Sequence, residues 1–159
     1  MDPNNNDYIT YNSNKNILLI MNNPGLIKDL ISDDETRIAI QDSLNKTISG
    51  VFITDDNLYI NFDDNTALRI WDGGQSCCEH RYMKCDDDLN DYVGATLTNV
   101  ISKPATFTDD DWGSRHEIMF VDFETTNGVF TIVNHNAHNG YYGGFYIEGE
   151  ITEPWLPKF

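Results

Sequence analysis

Positive charge is scarce in this sequence. Lys and Arg number 10 in 159 residues, against 26 Asp and Glu, for a formal net charge of −16. Gripping a phosphate backbone takes clustered basic side chains, so the balance argues against direct nucleic-acid binding, and it equally opposes docking on an anionic membrane. Long apolar runs are missing too. The longest aliphatic one, residues 17–21, falls far short of the roughly 20 residues that cross a bilayer. No basic stretch precedes it and no small-residue cleavage site follows, so no signal peptide is expected. Cysteine occurs only at Cys77, Cys78 and Cys85, an odd count with two neighbours adjacent. Adjacent cysteines bridge only under strain, so a disulfide scaffold is not expected. A reducing cytoplasm is the expected location, the host's cytoplasm if the protein is viral. The acceptor triplet Asn45-Lys46-Thr47 therefore carries little meaning. There is no Walker loop, no Gly-x-Gly-x-x-Gly and no Gly-x-Ser-x-Gly.

What is present suffices for one core. Hydrophobic residues make up 40% and aromatics 12% of the chain, within the size range of a single domain. The opening fourteen residues are Asn-rich and read as a tail or edge segment. Residues 15–21 suit a short strand, and Asn22-Asn23-Pro24-Gly25 is a turn signal. Leu26, Ile27, Leu30 and Ile31 lie at helical spacing. The run from Ser32 to Glu35 matches a capping box, and Ile38, Ile40 and Leu44 continue a helix.

From about residue 47 the period changes to two. Leu58, Ile60 and Phe62 alternate with Tyr59 and Asn61, and 47–72 reads as a three-stranded meander with acidic turns. Asp72-Gly73-Gly74 breaks it. A short helix is expected over 86–92, then a strand over 95–101. Residues 117–125 and 129–134 form a hairpin across Asn127-Gly128, the pair that supplies positive φ in tight hairpins. A last strand covers 141–151. The expected core is Leu58, Ile60, Phe62, Leu68, Ile70, Phe120, Phe130 and Ile132. The fold class is α+β, mainly β: a small curled antiparallel sheet or partly closed barrel with one or two N-terminal helices. Residues 1–43 read as an N-terminal extension, 44–151 as the β-rich domain and 152–159 as a tail.

Two segments are too dense in chemistry for ordinary strand or loop. One is GQSCCEHRYM, with Gln75, Cys77, Cys78, Glu79, His80, Arg81 and Tyr82. The other is NHNAHNGYYGGF, with Asn134, His135, Asn136, His138, Asn139, Tyr141 and Tyr142. Taken singly, each residue also has a plain reading: cysteines as small buried hydrophobes, solvated charges, Gly and Asn for turn geometry. Together, these groups are costly to bury without partners, so the two segments are expected to meet and line one concave site.

With Asp86 to Leu89 and Val93-Gly94-Ala95, the two strings resemble a small family of uncharacterised proteins from bacteria and their phages. The resemblance spans about residues 44–151 and leaves 1–43 outside. It implies no activity. It also implies that the Cys85 position is usually small and polar, which removes Cys85 from the essential residues.

Several chemistries draw on these residue types. Zinc would draw on Cys77, Cys78, His80, His135 and His138, but their spacing lacks the usual Cys-x2-4-Cys pair, so no cofactor is expected. A Cys–His nucleophile would use Cys77 or Cys78 with His135 or His138, oriented by Asn134 or Asn136, although no known signature surrounds either thiol. The Asp clusters at 63–64, 86–88 and 109–111 lack the alternating calcium-loop pattern. Strong negative charge also suits mimicry of nucleic acid against a host protein. The favoured reading is a non-enzymatic binding protein that takes a small polar ligand or a partner protein's loop. In it, Arg81 pairs an anionic group of the ligand. The sequence leaves the oligomeric state open.

Overall fold

The computed structural model describes residues 9–11, 33–74, 77–103, 106–109, 113–140 and 143–158. The expected strand at 15–21 and the helical spacing at 26–31 lie outside the described residues, as do Gln75, Tyr141 and Tyr142.

Helix α1 runs Asp34–Ser43. Its N-cap is Asp33, whose side chain accepts the Thr36 N–H at 2.7 Å, so the cap sits one residue past the Ser32 expected from the capping box. Thr36, Ala39, Ile40 and Ser43 form the buried face. There the helix meets a strand directly, because Thr36 Oγ1 accepts the Gly149 N–H at 2.9 Å.

Most of the other described residues are strand, in two antiparallel sheets. The smaller sheet contains β2 (Ile48–Ile53), β3 (Asn57–Phe62), β4 (Ala67–Asp72) and β10 (Ile147–Thr152) in the order β10-β4-β3-β2. Its first three strands are the expected meander. The larger sheet contains β1 (Ile9–Tyr11), β5 (Glu79–Lys84), β6 (Leu97–Ser102), β7 (Thr106–Asp109), β8 (Arg115–Thr125) and β9 (Gly128–His138). Its order is β1-β6-β8-β9-β5, with β7 pairing the Arg115 end of β8 and β6 pairing the Thr125 end. A 3-10 turn, Leu89–Tyr92, capped by Asp88, stands where the short helix was expected.

One hydrophobic cluster joins the sheets. It takes Leu58, Ile60, Phe62, Leu68 and Ile70 from the smaller, and Met83, Leu97, Met119, Val121, Phe123, Phe130 and Ile132 from the larger. Ala39 and Ile40 of α1 belong to the same cluster, so the core extends across residue 43 into the β-rich domain. At the other end Trp155 stacks on Tyr59, with ring centroids 5.2 Å apart, and exchanges two hydrogen bonds with Asn61.

Three local expectations are corrected. Phe120 is not core: the pleat of β8 turns Met119, Val121 and Phe123 inward and Phe120 outward. The β8–β9 hairpin turns on Thr126-Asn127, with Thr125 paired to Gly128, and the positive φ falls on Gly128 at 114° rather than on Asn127. The last strand begins at Ile147, and residues 143–146 form an irregular connection before it.

Candidate functional site

The two signature segments lie side by side. Residues 79–83 of one and 134–138 of the other are strand rather than loop, because β5 and β9 pair with Glu79 opposite His138, Arg81 opposite Asn136 and Tyr82 opposite His135. The pleat then does what a loop would not. Successive residues point to opposite faces, so one string feeds two different environments.

Glu79, Arg81, Asn134, Asn136 and His138 face inward. The side chains of Arg81, Glu79 and Asp72 are 3%, 1% and 7% exposed. Arg81 Nη1 donates to both Asp72 oxygens, at 2.9 and 2.8 Å, and to the Gly144 carbonyl at 2.9 Å. Its Nε and Nη2 donate to Glu79 at 3.0–3.2 Å. Burial lowers the Arg81 pKa, but the hydrogen bonds to Glu79 and Asp72 outweigh it, and the net shift is upward. Asp72 Oδ1 also accepts the N–H groups of Gly74 and Tyr146. A single guanidinium thus ties β4 of one sheet to β5 of the other and to the connection before β10.

Two glycines are required by this arrangement. A Cβ on Gly74 would lie 2.8 Å from Arg81 Cζ. Gly144 has φ 76°, and that turn lets its N–H reach Glu117 Oε2 at 2.7 Å while its carbonyl faces Arg81 and Asn136. His138 completes the inner row. Its Nδ1 accepts the Gly140 N–H at 3.0 Å, which puts the proton of the neutral ring on Nε2, 3.4 Å from Glu117 Oε2. That separation is an ion-pair distance without hydrogen-bond geometry, and Nε2 counts among the buried polar atoms lacking a hydrogen-bond partner.

His80, Tyr82 and His135 face outward, joined by His116 of β8. Tyr82 and His135 stack with centroids 4.5 Å apart and planes 5° apart. His80 packs against Tyr82 with centroids 4.9 Å apart, and His116 Nε2 meets His135 Nδ1 at 2.8 Å. One ring of that pair must donate and the other accept, so the bond survives at most one imidazolium. Burial, then the charge of His116 and of Lys84, holds His135 below the ordinary imidazole value.

The row ends at an open cleft of about 450 Å³. Its lining includes Cys78, Asp109, Arg115, His116, His138 and Asn139. Arg115 grips Asp109 through two hydrogen bonds of 2.7 and 3.1 Å, which holds the Asp109 carboxyl below its usual range.

The shared site expected from sequence is therefore split. Pairing brings the segments together, but His135 and His138 stand on opposite faces, so the proposed zinc ligands do not converge. Among the described residues no group of three His, Cys, Asp or Glu side chains could hold a metal ion. Arg81 is satisfied by its own chain instead of awaiting an anion. Cys77 and Cys78 are exposed in the turn before β5, and contact with Cys77 pushes the Cys78 thiol up, away from the lowered value a nucleophile needs. Sequence reasoning missed Asp72, read as a strand breaker, and Glu117, His116 and Arg115. The expected strand begins only at Glu117, and register alone shows which neighbours these residues meet.

Residues 41–147 match a family model described as Domain of unknown function (DUF7448). The chain belongs to the DUF7448 family. The matched span contains both signature segments, the Arg81 cluster and the ring row, while α1 lies mostly before it. Neither the curated proteins nor the solved structures include a match to the chain. Among the described residues, no helix of this DUF7448 protein is long and apolar enough to cross a membrane.

Proposed function

We propose that the DUF7448 domain is a non-enzymatic binding module that recognises a small polar, planar ligand on the outer face of its larger sheet. One observation carries this reading: the row His80–Tyr82–His135–His116 crosses three strands and delivers its last ring into the cleft. Aromatic faces offer flat apolar contact, while imidazole nitrogens and a phenol hydroxyl supply donors and acceptors at the ring edges. The cleft adds Arg115, Asn139 and Thr108 beside that platform. The inner cluster acts as the frame, since Arg81 fixes β5 against the smaller sheet. This differs from the anion-pairing role expected for Arg81, and it moves recognition to the other face of the same strands.

A native mass spectrum of the protein from its own cells, followed by thermal shifts across a nucleotide and metabolite panel, tests the proposal. Tyr82→Ala and His116→Ala are each expected to weaken the bound ligand at least about tenfold, the loss of one stacking or hydrogen-bonding group. A ligand indifferent to both variants, or an empty protein silent across the panel, counts against the site and moves the assignment to a partner protein. A Cys–His enzyme is the weaker reading, because the Cys78 thiol is pushed up and His138 Nδ1 is committed to Gly140. Acidic mimicry of nucleic acid would show instead as protein binding that weakens steeply with salt.

A further inference from the structure

The turn that delivers β5 carries two adjacent thiols at the edge of the cleft. Cys77 and Cys78 are both exposed, and Cys78 lines the cleft. Cys78 has φ 64°, a left-handed backbone that a non-glycine residue rarely adopts. The turn is anchored from below, because the next residue is Glu79, whose carboxylate is clamped by Arg81. Cys85 is remote: it follows the six residues of β5, which at about 3.3 Å per residue separate it from Cys78 by roughly 20 Å.

This geometry restricts what the pair can bind. Consecutive Cα atoms stand about 3.8 Å apart, shorter than the usual disulfide span, so an internal bridge is strained and readily reduced. The pair therefore rests as a dithiol under reducing conditions. Tetrahedral zinc needs further ligands, and among the described residues no third His, Cys, Asp or Glu completes a set. What remains is a soft centre that two sulfurs satisfy.

We propose that Cys77 and Cys78 form a two-thiol capture site for monosubstituted trivalent arsenicals, with the organic substituent lying in the adjoining cleft. The step balances without an oxidant. Two S–H bonds and the arsenic–oxygen bond of R–As=O break, and two As–S bonds form. Both protons go to the oxygen, which leaves as water, and arsenic stays trivalent. The second As–S bond closes within one turn, so it forms at high effective concentration. The proposal stands apart from the ring-row reading and survives its failure.

Phenylarsine oxide added to the reduced full-length chain tests it by intact mass and thiol titration. The expected result is one phenylarsenic per chain, with two of the three thiols silenced. A small dithiol should reverse the adduct, and an equal concentration of a monothiol should not. Cys77→Ser and Cys78→Ser should each weaken binding about a hundredfold or more, the loss of chelation, while Cys85→Ser changes nothing. The folded chain should bind at least about tenfold tighter than the same chain in denaturing urea, as a pre-organised turn requires. Equal affinity in urea, retention of the adduct in either Ser variant, or its loss in Cys85→Ser overturns the site. So does zinc bound more tightly than the arsenical.

Discussion

The two faces of β5 and β9 are written in the same dozen residues and serve opposite ends. Inward, Glu79, Arg81 and Asn136 lie in a closed polar cluster in which the Arg81 donors meet carboxylates or a carbonyl. Outward, His80, Tyr82 and His135 form a half-open row of rings with nitrogens facing water or each other. The difference is one of desolvation. A charge out of water must be matched at once by its own chain, and after that it is unavailable to a ligand. A ring on a pleated surface keeps one face and its polar edge available. The inner residues are thus expected to control stability and the outer ones recognition.

The largest effect belongs to Arg81. Arg81→Met leaves Asp72 and Glu79 buried without a counter-charge, a situation that costs about 3–5 kcal/mol. Urea denaturation should read that loss, and a change under 1 kcal/mol would place the cluster in water rather than in the interior. Combining Arg81→Met with Asp72→Leu and Glu79→Leu should recover part of the stability, because an apolar replacement carries no unpaired charge. Arg81→Lys should fall between, keeping the charge without the fork that reaches both carboxylates.

Gly74 comes next. Its added Cβ would collide with Tyr146 Cδ2 and meet Arg81 Cζ at 2.8 Å, and the guanidinium is held by its ion pairs. Gly74→Ala is expected to destabilise by about 1–3 kcal/mol, the range for overpacking. Gly73→Ala is the contrast, since the atoms nearest its Cβ belong to the Glu148 carboxylate, the far end of a flexible side chain. It should cost less than Gly74→Ala in the same titration. Tyr82→Ala crosses to the other face and should cost about 1 kcal/mol or less, the worth of one cross-strand stacking pair. If Tyr82→Ala destabilises as much as Arg81→Met, the outer row is structural and the division of faces is lost.

The sequence carried the meander and the β8–β9 hairpin, because Leu58-x-Ile60-x-Phe62 and the Asn127-Gly128 pair are local signals, although the turn itself sits one residue earlier, on Thr126-Asn127. It carried seven of the eight expected core residues, with Phe120 lost to the pleat. It singled out both signature segments but did not place 79–84 or 135–138 in strands, because His, Asn and Arg are poor strand markers. Their strand character comes from tertiary partners instead: Asp72 lies nine residues from Arg81, and Gly144 sixty-three. His116 lies just before the strand expected over 117–125, and only the pairing of β8 with β9 brings it to His135. Alternation was legible, but register was not, and register decides which face each residue serves.

The smallest prediction concerns protons on the outer row. Burial first, and then the positive charges of His116 and Lys84, keep the folded His135 below the ordinary value of 6.5. In the unfolded chain His135 takes its proton near that ordinary value. Just below pH 6.5 the unfolded state therefore binds more protons, so stability falls as pH drops, and the loss levels off below the folded pKa. One fully linked proton gives about 1.4 kcal/mol per pH unit, and the partial exposure of His135 should leave a fraction of that. The carboxylates lowered by their partners, Asp64 and Asp109, titrate below 3.8 and lie outside this window. His135→Phe keeps a ring against Tyr82 and removes the titration. Urea midpoints at several values between about pH 5 and 7 should show a flatter slope for the variant than for the parent protein. A variant slope equal to the parent's would mean that His135 titrates as it does in water, and the row would then be more open than the stacked geometry allows.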